Sequence, residues 1–371
     1  MTSRERVMAA LSHQPPDRVP IDLNITLSAY RSLKAHLDLE IDETPAPNAA
    51  MEVIPDPQLL QRLGVDLISV KLGSGTDLLT LPETFRDGWG VTRKRIEQAS
   101  GCYYEAVTHP LAGASAGDLD DYPWPGPCSV EEAELTAERA EHLYKQTDLA
   151  LVGRFGGPVL ELAAALLGME EWYVRLGMDK DFAVRLLDHI GAVCTAYDLA
   201  GIEASGKYLQ IMKVSGEDFG MQTGPLYSME MFRDILLPPL RRRWQAVREK
   251  LDGVNPETRI MLHSCGAVRS FIPDLINSGI DILDPVQPLA DGMDPAELNA
   301  EFGDQLVFHG GIDVQDLLPN GTRKEVAAGV HLCLEGFQAK CGGFIVAPSH
   351  SVQGDVPPEN IVAMIDAAKA R

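Results

Sequence analysis

The stretch Arg259–Val268 has the sequence RIMLHSCGAV, in which an apolar run leads into histidine, serine, cysteine and glycine. A short and nearly continuous apolar run is typical of a parallel β-strand that is buried on both faces. The polar residues after the run would then lie at the carboxyl end of that strand. The same pattern recurs along the chain, and its recurrence predicts the fold.

Seven further stretches are apolar runs that end in polar residues or glycine. They are residues 18–24 (RVPIDLN), 66–73 (DLISVKLG), 149–157 (LALVGRFGG), 208–218 (YLQIMKVSGED), 280–288 (IDILDPVQP), 305–313 (QLVFHGGID) and 342–350 (GGFIVAPSH). Most are separated by stretches with helical periodicity. Eight strands that alternate with helices predict an α/β fold, the (β/α)8 TIM barrel.

The remaining parts of the chain are predicted to belong to the same barrel domain, which would span residues 1–371. Residues before the first strand form an N-terminal extension. Residues 73–146 fit the barrel pattern least well, because they contain a predicted β-hairpin and the loop DDYPWPGPCS. Since no low-complexity linker divides the chain, we predict an insertion after the second strand rather than a second domain.

The charge balance argues against two classes of partner. The chain of 371 residues has 32 basic and 54 acidic residues, a net charge of −22. Nucleic acids and anionic membranes bind clustered Lys and Arg, so neither is an expected partner. The one notable basic run, Arg241–Arg243, lies in a helical stretch and is predicted to form a solvated face.

Targeting and redox signals favour a cytoplasmic protein. The first 20 residues are charged and amphipathic, unlike a secretory signal, and no apolar run reaches the roughly 18 residues of a membrane span. The six cysteines are scattered, as in proteins of a reducing compartment.

His263 and Cys265 are the first candidates for a functional site. In barrel enzymes the chemistry takes place at the carboxyl ends of the strands, where both residues are predicted to lie. Their spacing of two residues on an extended strand places both side chains on one face. Imidazole and thiolate are common zinc ligands, so we predict that both bind zinc. The alternative is a packed histidine beside an unrelated thiol.

Further ligands must come from other strand ends. Cys341 offers a soft sulfur donor, but it precedes the last strand and is predicted to lie at the opposite end of the barrel. His350 ends that strand and is therefore our prediction for the third ligand, with Cys341 as the alternative. Glu217 is the predicted oxygen ligand, with Asp218 and water as the alternatives for the fourth position.

Other polar residues at strand ends are predicted to act on the substrate. Asp218, Asp313 and His309 are the predicted catalytic residues, through proton transfer or by orienting a ligand. A packed, hydrogen-bonded histidine is the alternative for His309. The predicted substrate-binding residues are Asn24, Lys71, Gln287 and Gln353.

Four stretches together resemble the uroporphyrinogen decarboxylase superfamily. They are RERVMAALSHQPPDRVPID (4–22), GEDFGMQTGPLYSMEMFRDILLPPL (216–240), FHGGIDVQ (308–315) and APSHSVQGDVPPENI (347–361). The resemblance covers nearly the whole chain and implies the same barrel. The haem-pathway decarboxylases carry an Arg-rich segment after the first strand and an Asp after the second. Here no arginine follows the first strand before Arg31, and Ser69–Lys71 stand where that Asp is expected.

The chain resembles the other branch more closely, namely the zinc-dependent, corrinoid-linked methyltransferases. These carry His-x-Cys-Gly, matched by residues 263–266, and a cysteine after the last strand, where this sequence has His350. The resemblance implies zinc and a methyl transfer between a small donor or acceptor and a corrinoid (cobalamin) carried by a partner protein. Homodimers are common in the superfamily.

Two alternatives remain open on sequence grounds. One is a metal-free, decarboxylase-like lyase that acts on a small carboxylic acid, with Asp218, His309 and His350 as acid and base groups. The other is a non-catalytic binding protein, which the many titratable groups at the strand ends disfavour.

Overall fold

The structure is a computed structural model that describes residues 1–41, 47–48, 50–73, 80–98 and 101–370. Parts of the predicted insertion, residues 74–79 and 99–100, therefore lie outside the described residues. The strands are β1 (Ile25–Thr26), β2 (Glu52–Val53), β3 (Leu67–Lys71), β4 (Thr84–Arg86), β5 (Thr92–Gln98), β6 (Gly101–Ala106), β7 (Ala150–Arg154), β8 (Leu209–Gly216), β9 (Gly220–Met221), β10 (Gly224–Pro225), β11 (Arg259–His263), β12 (Ile282–Val286), β13 (Val307–Ile312) and β14 (Phe344–Pro348).

The first half of the chain contains the helices α1 (Ser3–Leu11), α2 (Leu27–His36), α3 (Pro57–Leu63), α4 (Ala116–Asp121), α5 (Val130–Gln146), α6 (Val159–Leu167), α7 (Met169–Met178) and α8 (Lys180–Ser205). The second half contains α9 (Met229–Met231), which a π-helical turn joins to α10 (Leu237–Val254), then α11 (Ile272–Ile276), α12 (Pro295–Phe302), α13 (Leu317–Asn320), α14 (Arg323–Gly336) and α15 (Pro358–Lys369). Within the described ranges, no helix is both long enough and apolar enough to cross a bilayer.

Seven parallel strands form one curled sheet in the order β14–β13–β12–β11–β8–β7–β3. The predicted first strand lies between the two edges of this sheet. Ile21 forms a bridge with Val346 of β14, and its carbonyl accepts a 2.8 Å hydrogen bond from the amide of Asp66, just before β3. Pro20 has no amide hydrogen to donate, which limits this segment to a bridge rather than a regular ladder. The predicted TIM-barrel-like α/β fold is confirmed.

The barrel interior is layered, because successive strand residues point alternately inward and outward. The layer nearest the amino ends of the strands is apolar, and Val7 and Leu11 of α1 pack across it. Its strand residues are Leu67, Ala150, Val152, Ile211, Met261, Ile282, Val307 and Ile345. Two residues after Ile211, Met261, Ile282 and Val307, the same strands carry the polar side chains of Lys213, His263, Asp284 and His309. A polar layer therefore lies between this apolar layer, which plugs the amino end of the barrel, and the opening at the carboxyl ends of the strands, the mouth.

Ion pairs attach the N-terminal extension to the amino end of the barrel. The fully buried carboxylate of Asp66 accepts 2.7 Å hydrogen bonds from Arg6 and from Arg18, and a third of 2.9 Å from the backbone amide of Ile21. The same carboxylate thus joins α1 to residues 18–24, the segment that lies between the two edges of the sheet and is referred to below as the closing segment.

The region between β3 and β7 contains a small antiparallel sheet, with the order β4–β5–β6, followed by α4 and α5. The sequence pattern assigns all of this region to the insertion. Yet α5 contacts β3 and β7, as a barrel helix that joins two neighbouring strands does.

The basic run on α10 differs from its prediction. Arg242 is exposed, Arg241 is half-buried, and Arg243 is 2% exposed with its Nε donating to Asp198 Oδ2 at 2.8 Å. The prediction of a solvated face is wrong for Arg243, because its charge is compensated by an acid from α8, which a local sequence pattern does not reveal.

Candidate metal centre at the barrel mouth

Three predicted site residues come together at the carboxyl ends of β8 and β11. Asp218, His263 and Cys265 are half-buried, and each offers one ligand atom within 4.8 Å of the others. Among the described residues, no other group of three or more His, Cys, Asp or Glu side chains is so arranged. Sulfur, imidazole nitrogen and carboxylate oxygen are the donors that zinc takes, so this set fits a zinc ion.

The ends of β8 and β11 are joined by hydrogen bonds that define the site. The amide of Glu217 donates to the carbonyl of His263 at 2.8 Å, and the amide of Cys265 donates to Asp218 Oδ1 at 3.2 Å. Gly266 then turns the chain with φ of 82°, where a Cβ atom would lie 2.5 Å from the backbone of Gly220. Only glycine fits this turn, because both the dihedral angle and the contact exclude a side chain.

Asp284 orients the His263 ring. Its Oδ2 lies 2.9 Å from His263 Nδ1, and a carboxylate can only accept, so Nδ1 carries the proton. The Nε2 lone pair then faces the mouth, 3.8 Å from Asp218 Oδ1. Metal-binding histidines commonly donate their second ring nitrogen to a carboxylate in this way.

His309 lies behind Asp284 in the polar layer. Its Nδ1 donates to Asp284 Oδ1 at 2.7 Å and its Nε2 donates to Asp22 Oδ2 at 3.0 Å. Burial alone would lower the pKa of His309, but the two carboxylates outweigh it and raise that pKa to about 9. Both nitrogens are thus engaged in a ring that is 1% exposed. This geometry matches the alternative prediction, a packed and hydrogen-bonded histidine.

Asp284 remains ionised although it is buried. Burial by itself would raise its pKa, but Lys213 and His309 hold the pKa well below its usual range. Lys213 donates from Nζ to Asp284 Oδ2 at 2.6 Å. The two cations therefore keep a hydrogen-bond acceptor available to His263.

Glu217 lies apart from Asp218, His263 and Cys265, which are referred to below as the metal-site group. Its two oxygens accept hydrogen bonds from the amides of Val159 (2.8 Å) and Leu160 (2.9 Å) at the start of α6. Burial raises the pKa of Glu217 to about 8, against the opposing effect of Arg243. Neighbouring residues point to opposite sides of an extended chain, so Asp218 faces the mouth while Glu217 faces α6. Glu217, the predicted oxygen ligand, is therefore not part of the group that could hold a metal ion, whereas the alternative, Asp218, is.

Asp313 is also separated from the group. Its carboxylate accepts hydrogen bonds from the amides of Gln315 (3.0 Å), Asp316 (2.9 Å) and Leu317 (2.8 Å), and so caps the start of α13. These bonds hold the carboxylate against the backbone before α13, and the catalytic role of Asp313 stays a prediction.

His350 and Cys341 lie at opposite ends of β14. The His350 ring is exposed at the mouth, edge-on to the His263 ring, with centroids 5.7 Å apart. Desolvation within the mouth and the proximity of His263 lower the pKa of His350. Cys341 is exposed in the 3-10 turn before β14, at the amino end of the barrel.

The predicted substrate-binding residues are dispersed around the mouth. Gln287 accepts a 2.7 Å hydrogen bond from the amide of Gly266, beside the metal-site group. Burial and neighbouring Arg154 lower the pKa of Lys71, at the end of β3, to about 8. Gln353 lines a cleft of about 670 Å³, and half-buried Asn24 binds the amide of Val352 through its backbone carbonyl at 2.9 Å.

Glu161 is absent from the sequence predictions, and Asp284 was predicted to lie at a strand end but was given no role. Glu161, in the first turn of α6, lines the 670 Å³ cleft and a second cleft of about 570 Å³ that contains Asp218 and Trp172. Desolvation within the mouth and the charge of Asp218 raise the pKa of Glu161 to about 7. Asp284 had a usable signal, since it follows Ile282 of the apolar layer by two residues on the same strand and therefore points to the same side. Glu161 had none, because it follows the strand end by a helical turn.

Known proteins are similar to this protein over nearly its whole length. A uroporphyrinogen decarboxylase from Chloroherpeton thalassium is 24% identical, covering 100% of this chain and 98% of that protein. A methylcobamide:CoM methyltransferase, MtaA, from Methanosarcina barkeri is also 24% identical, covering 99% and 97%. The solved structure of a methyltransferase from Methanosarcina mazei superposes with a TM-score of 0.66 at 18% identity, covering 100% and 99% of the two chains, which shows a shared fold.

The model of the uroporphyrinogen decarboxylase (URO-D) family matches residues 2–371. That match spans the barrel, the closing segment and every residue of the candidate metal centre. The chain therefore belongs to the uroporphyrinogen decarboxylase family.

Proposed function

We propose that this protein is a zinc-dependent methyltransferase that moves a methyl group between a small donor or acceptor and a corrinoid carried by a partner protein. One observation carries the proposal: His263, oriented by Asp284, presents Nε2 beside Cys265 and Asp218. The similarity to a methylcobamide:CoM methyltransferase over 99% of the chain supports it. The six cysteines are free thiols, which is compatible with a cytoplasmic setting.

In this proposal His263, Cys265 and Asp218 are three protein ligands. His350 is the candidate for the remaining position, because its ring already lies edge-on to that of His263 at 5.7 Å. A catalytic zinc site often has three protein ligands and one position for water or substrate, so His350 would compete with the substrate for that position.

Zinc would supply Lewis-acid activation of a thiol, hydroxyl or methyl-bearing group. Asp284 keeps the His263 ring in place, with its proton on Nδ1. Glu161, with a pKa of about 7, is suited to accept a proton on its carboxylate from a methyl acceptor as that acceptor binds. Gln287 holds the turn after Cys265 through Gly266.

The two clefts at the mouth offer places for two reactants. The cleft lined by Gln353 also contains Arg93 and Tyr103 from the small antiparallel sheet, which suits a small polar methyl donor or acceptor. Asn24 and Lys71 stay proposed contacts of that molecule. The second cleft is walled by Trp172, Tyr173 and Tyr227 and reaches Asp218. We assign the open mouth to the corrinoid of the partner protein. A homodimer stays a proposal as well.

The proposal is tested by the metal content of protein purified without a histidine tag. We expect about one zinc per chain in the parent, and its loss in Cys265→Ala. Cys341→Ala is the matched control, because Cys341 is an exposed thiol at the other end of the barrel, and it should keep its zinc. A metal-free parent that turns over substrate would overturn the proposal.

A decarboxylase-like lyase that acts on a small carboxylic acid is the second candidate. Two observations favour it: relatives named uroporphyrinogen decarboxylase align over the whole chain, and Asp22, His309 and Asp284 form a continuous chain of acid and base groups. The two candidates differ in one measurable respect, since the lyase would release CO₂ from a carboxylate substrate after treatment with a chelator.

A further inference from the structure

Glu217, Arg243 and Asp198 form a buried ionic cluster behind the metal-site group; we refer to it as the Arg243 cluster. Arg243 Nε donates to Asp198 Oδ2 at 2.8 Å, and Arg243 Nη1 lies 3.8 Å from Glu217 Oε1. Glu217 and Asp198 are completely buried. Burying an arginine and two carboxyl groups carries a large desolvation penalty, so replacing such a group of side chains with apolar residues is often neutral or stabilising. Stability alone is therefore a weak explanation for the cluster.

The Arg243 cluster binds the loop between β7 and α6. Asp198 accepts a 2.7 Å hydrogen bond from the amide of Gly156, and Arg243 donates to the carbonyl of Gly157 at 2.8 Å. The amides at residues 159 and 160 donate to Glu217. A Cβ on Gly156 would lie 2.5 Å from Arg243 Nη2, so the loop needs a glycine at this contact. The next residue after this bound stretch is Glu161.

Glu217 connects that loop to the metal-site group. Its own amide donates to the carbonyl of His263 at 2.8 Å, and the following residue is Asp218. Asp218 in turn accepts from the amide of Cys265 at 3.2 Å. The ends of β8 and β11 and the start of α6 thus meet at this one residue.

We propose that Glu217, held by Arg243 and Asp198, is a positioning residue that sets Asp218 and Glu161 against His263 and Cys265. It makes no contact with substrate or metal and acts through its neighbours. The inference rests on the proposed function, because it assigns the metal to these side chains. Replacing Glu217 should release the start of α6 and the end of β8 together.

Asp66 provides a matched control at the opposite end of the barrel. It is also a fully buried carboxylate that accepts hydrogen bonds from a backbone amide and from arginines. Asn360→Ala is a second control, since its buried side chain binds two carbonyls, those of Leu318 and Gly321. These controls lose buried hydrogen bonds without touching the mouth.

The experiment measures zinc affinity by competition with a chromogenic chelator, beside the melting temperature. Glu217→Gln and Arg243→Lys should bind zinc about tenfold or more weakly, within the range for partners that orient metal ligands. Asp66→Asn or Asn360→Ala should lower the melting temperature while leaving zinc affinity within about twofold of the parent. Zinc affinity that follows the melting temperature across all four variants would overturn the proposal.

A second readout needs no metal and separates this inference from the proposed function. In metal-free protein, amide hydrogen exchange should become faster in Glu217→Gln at residues 159–160 and also at Cys265, whose amide binds Asp218. Exchange at Cys265 should stay at the parent rate in Asn360→Ala. A parent that binds no zinc would refute the proposed function, and unchanged exchange at Cys265 in Glu217→Gln would refute the positioning role.

Discussion

Each end of the barrel contains a buried carboxylate that accepts several hydrogen bonds, yet the two carboxylates have different roles. At the amino end, Asp66 binds Arg6, Arg18 and a backbone amide. At the carboxyl end, Asp284 binds Lys213, His309 and His263. Both are desolvated and both are neutralised by cations, so burial and charge pairing do not distinguish them.

The difference lies in what the donors do with their remaining atoms. Arg6 also donates to Asp17 and to the carbonyl of Met1, and the Arg18 nitrogens that bind Asp66 also donate to backbone carbonyls at the amino end of the barrel. His263 instead presents Nε2 to the half-buried Asp218 and Cys265. The same kind of network therefore closes one end of the fold and orients a candidate metal ligand at the other. A buried ion pair therefore indicates a site only where one partner also presents a lone pair to the mouth, as His263 does with Nε2.

The largest expected effect comes from removing a proposed zinc ligand at the mouth. His263→Ala should weaken zinc binding more than about 100-fold, beyond the range for partners that only orient ligands. Asp66→Asn should bind zinc like the parent although it unfolds at a lower temperature. Isothermal titration with zinc, together with thermal denaturation, measures both quantities. Equal loss of zinc affinity in the two variants would remove the distinction between the ends.

Asp284→Asn should have the next largest effect. The asparagine amide is neutral and has one acceptor oxygen, so it cannot replace the carboxylate that accepts hydrogen bonds from His263, Lys213 and His309. The imidazole of His263 then loses its fixed orientation. We expect zinc affinity to fall about 10- to 100-fold. Cobalt(II) substitution would show the change directly as altered visible absorption bands. Spectra and affinity identical to the parent would mean that Asp284 only stabilises the barrel, as Asp66 does.

His309 predicts that the stability of the protein depends on pH between 6.5 and 9. Its folded pKa of about 9 exceeds the ordinary 6.5, so its stabilising effect is complete below pH 6.5 and disappears as pH rises to 9. That shift corresponds to on the order of 3 kcal/mol in the free energy of unfolding. Urea denaturation of the parent and of His309→Gln at several pH values measures the difference. The stability gap should narrow from pH 6.5 to 9, and a gap that widens would contradict the assignment.

Asp313→Ala should have the smallest effect. Asp313 caps α13 and lies outside the metal-site group, so losing it should cost about 1 kcal/mol of stability. Zinc affinity should remain that of the parent. Chemical denaturation and zinc titration test the two statements, and a loss of zinc affinity here would restore Asp313 to the site.

Local periodicity was enough to predict the barrel and to place His263 and Cys265 together at its mouth. A strand alternates its faces every two residues whatever surrounds it, so His263 and Cys265 had to share a face. The order of strands and loops along the chain likewise predicted that Cys341 and His350 lie at opposite ends of the barrel. These predictions succeed because they depend on residues that are close in sequence.

The residues that only the tertiary structure assigned depend on distant partners. His309 forms a hydrogen bond with Asp22, which is 287 residues away in the sequence. Glu217 accepts hydrogen bonds from the start of α6, 57 and 58 residues earlier in the chain. Arg243 donates to Asp198, 45 residues earlier. Whether a polar side chain at a strand end faces a metal, caps a helix or neutralises an ion is decided by those partners. The sequence by itself determined the barrel, the inward face of each strand and the His263 and Cys265 pair. Packing between distant segments determined which polar groups face the mouth and which are paired in the interior, because a buried polar group without a partner costs free energy.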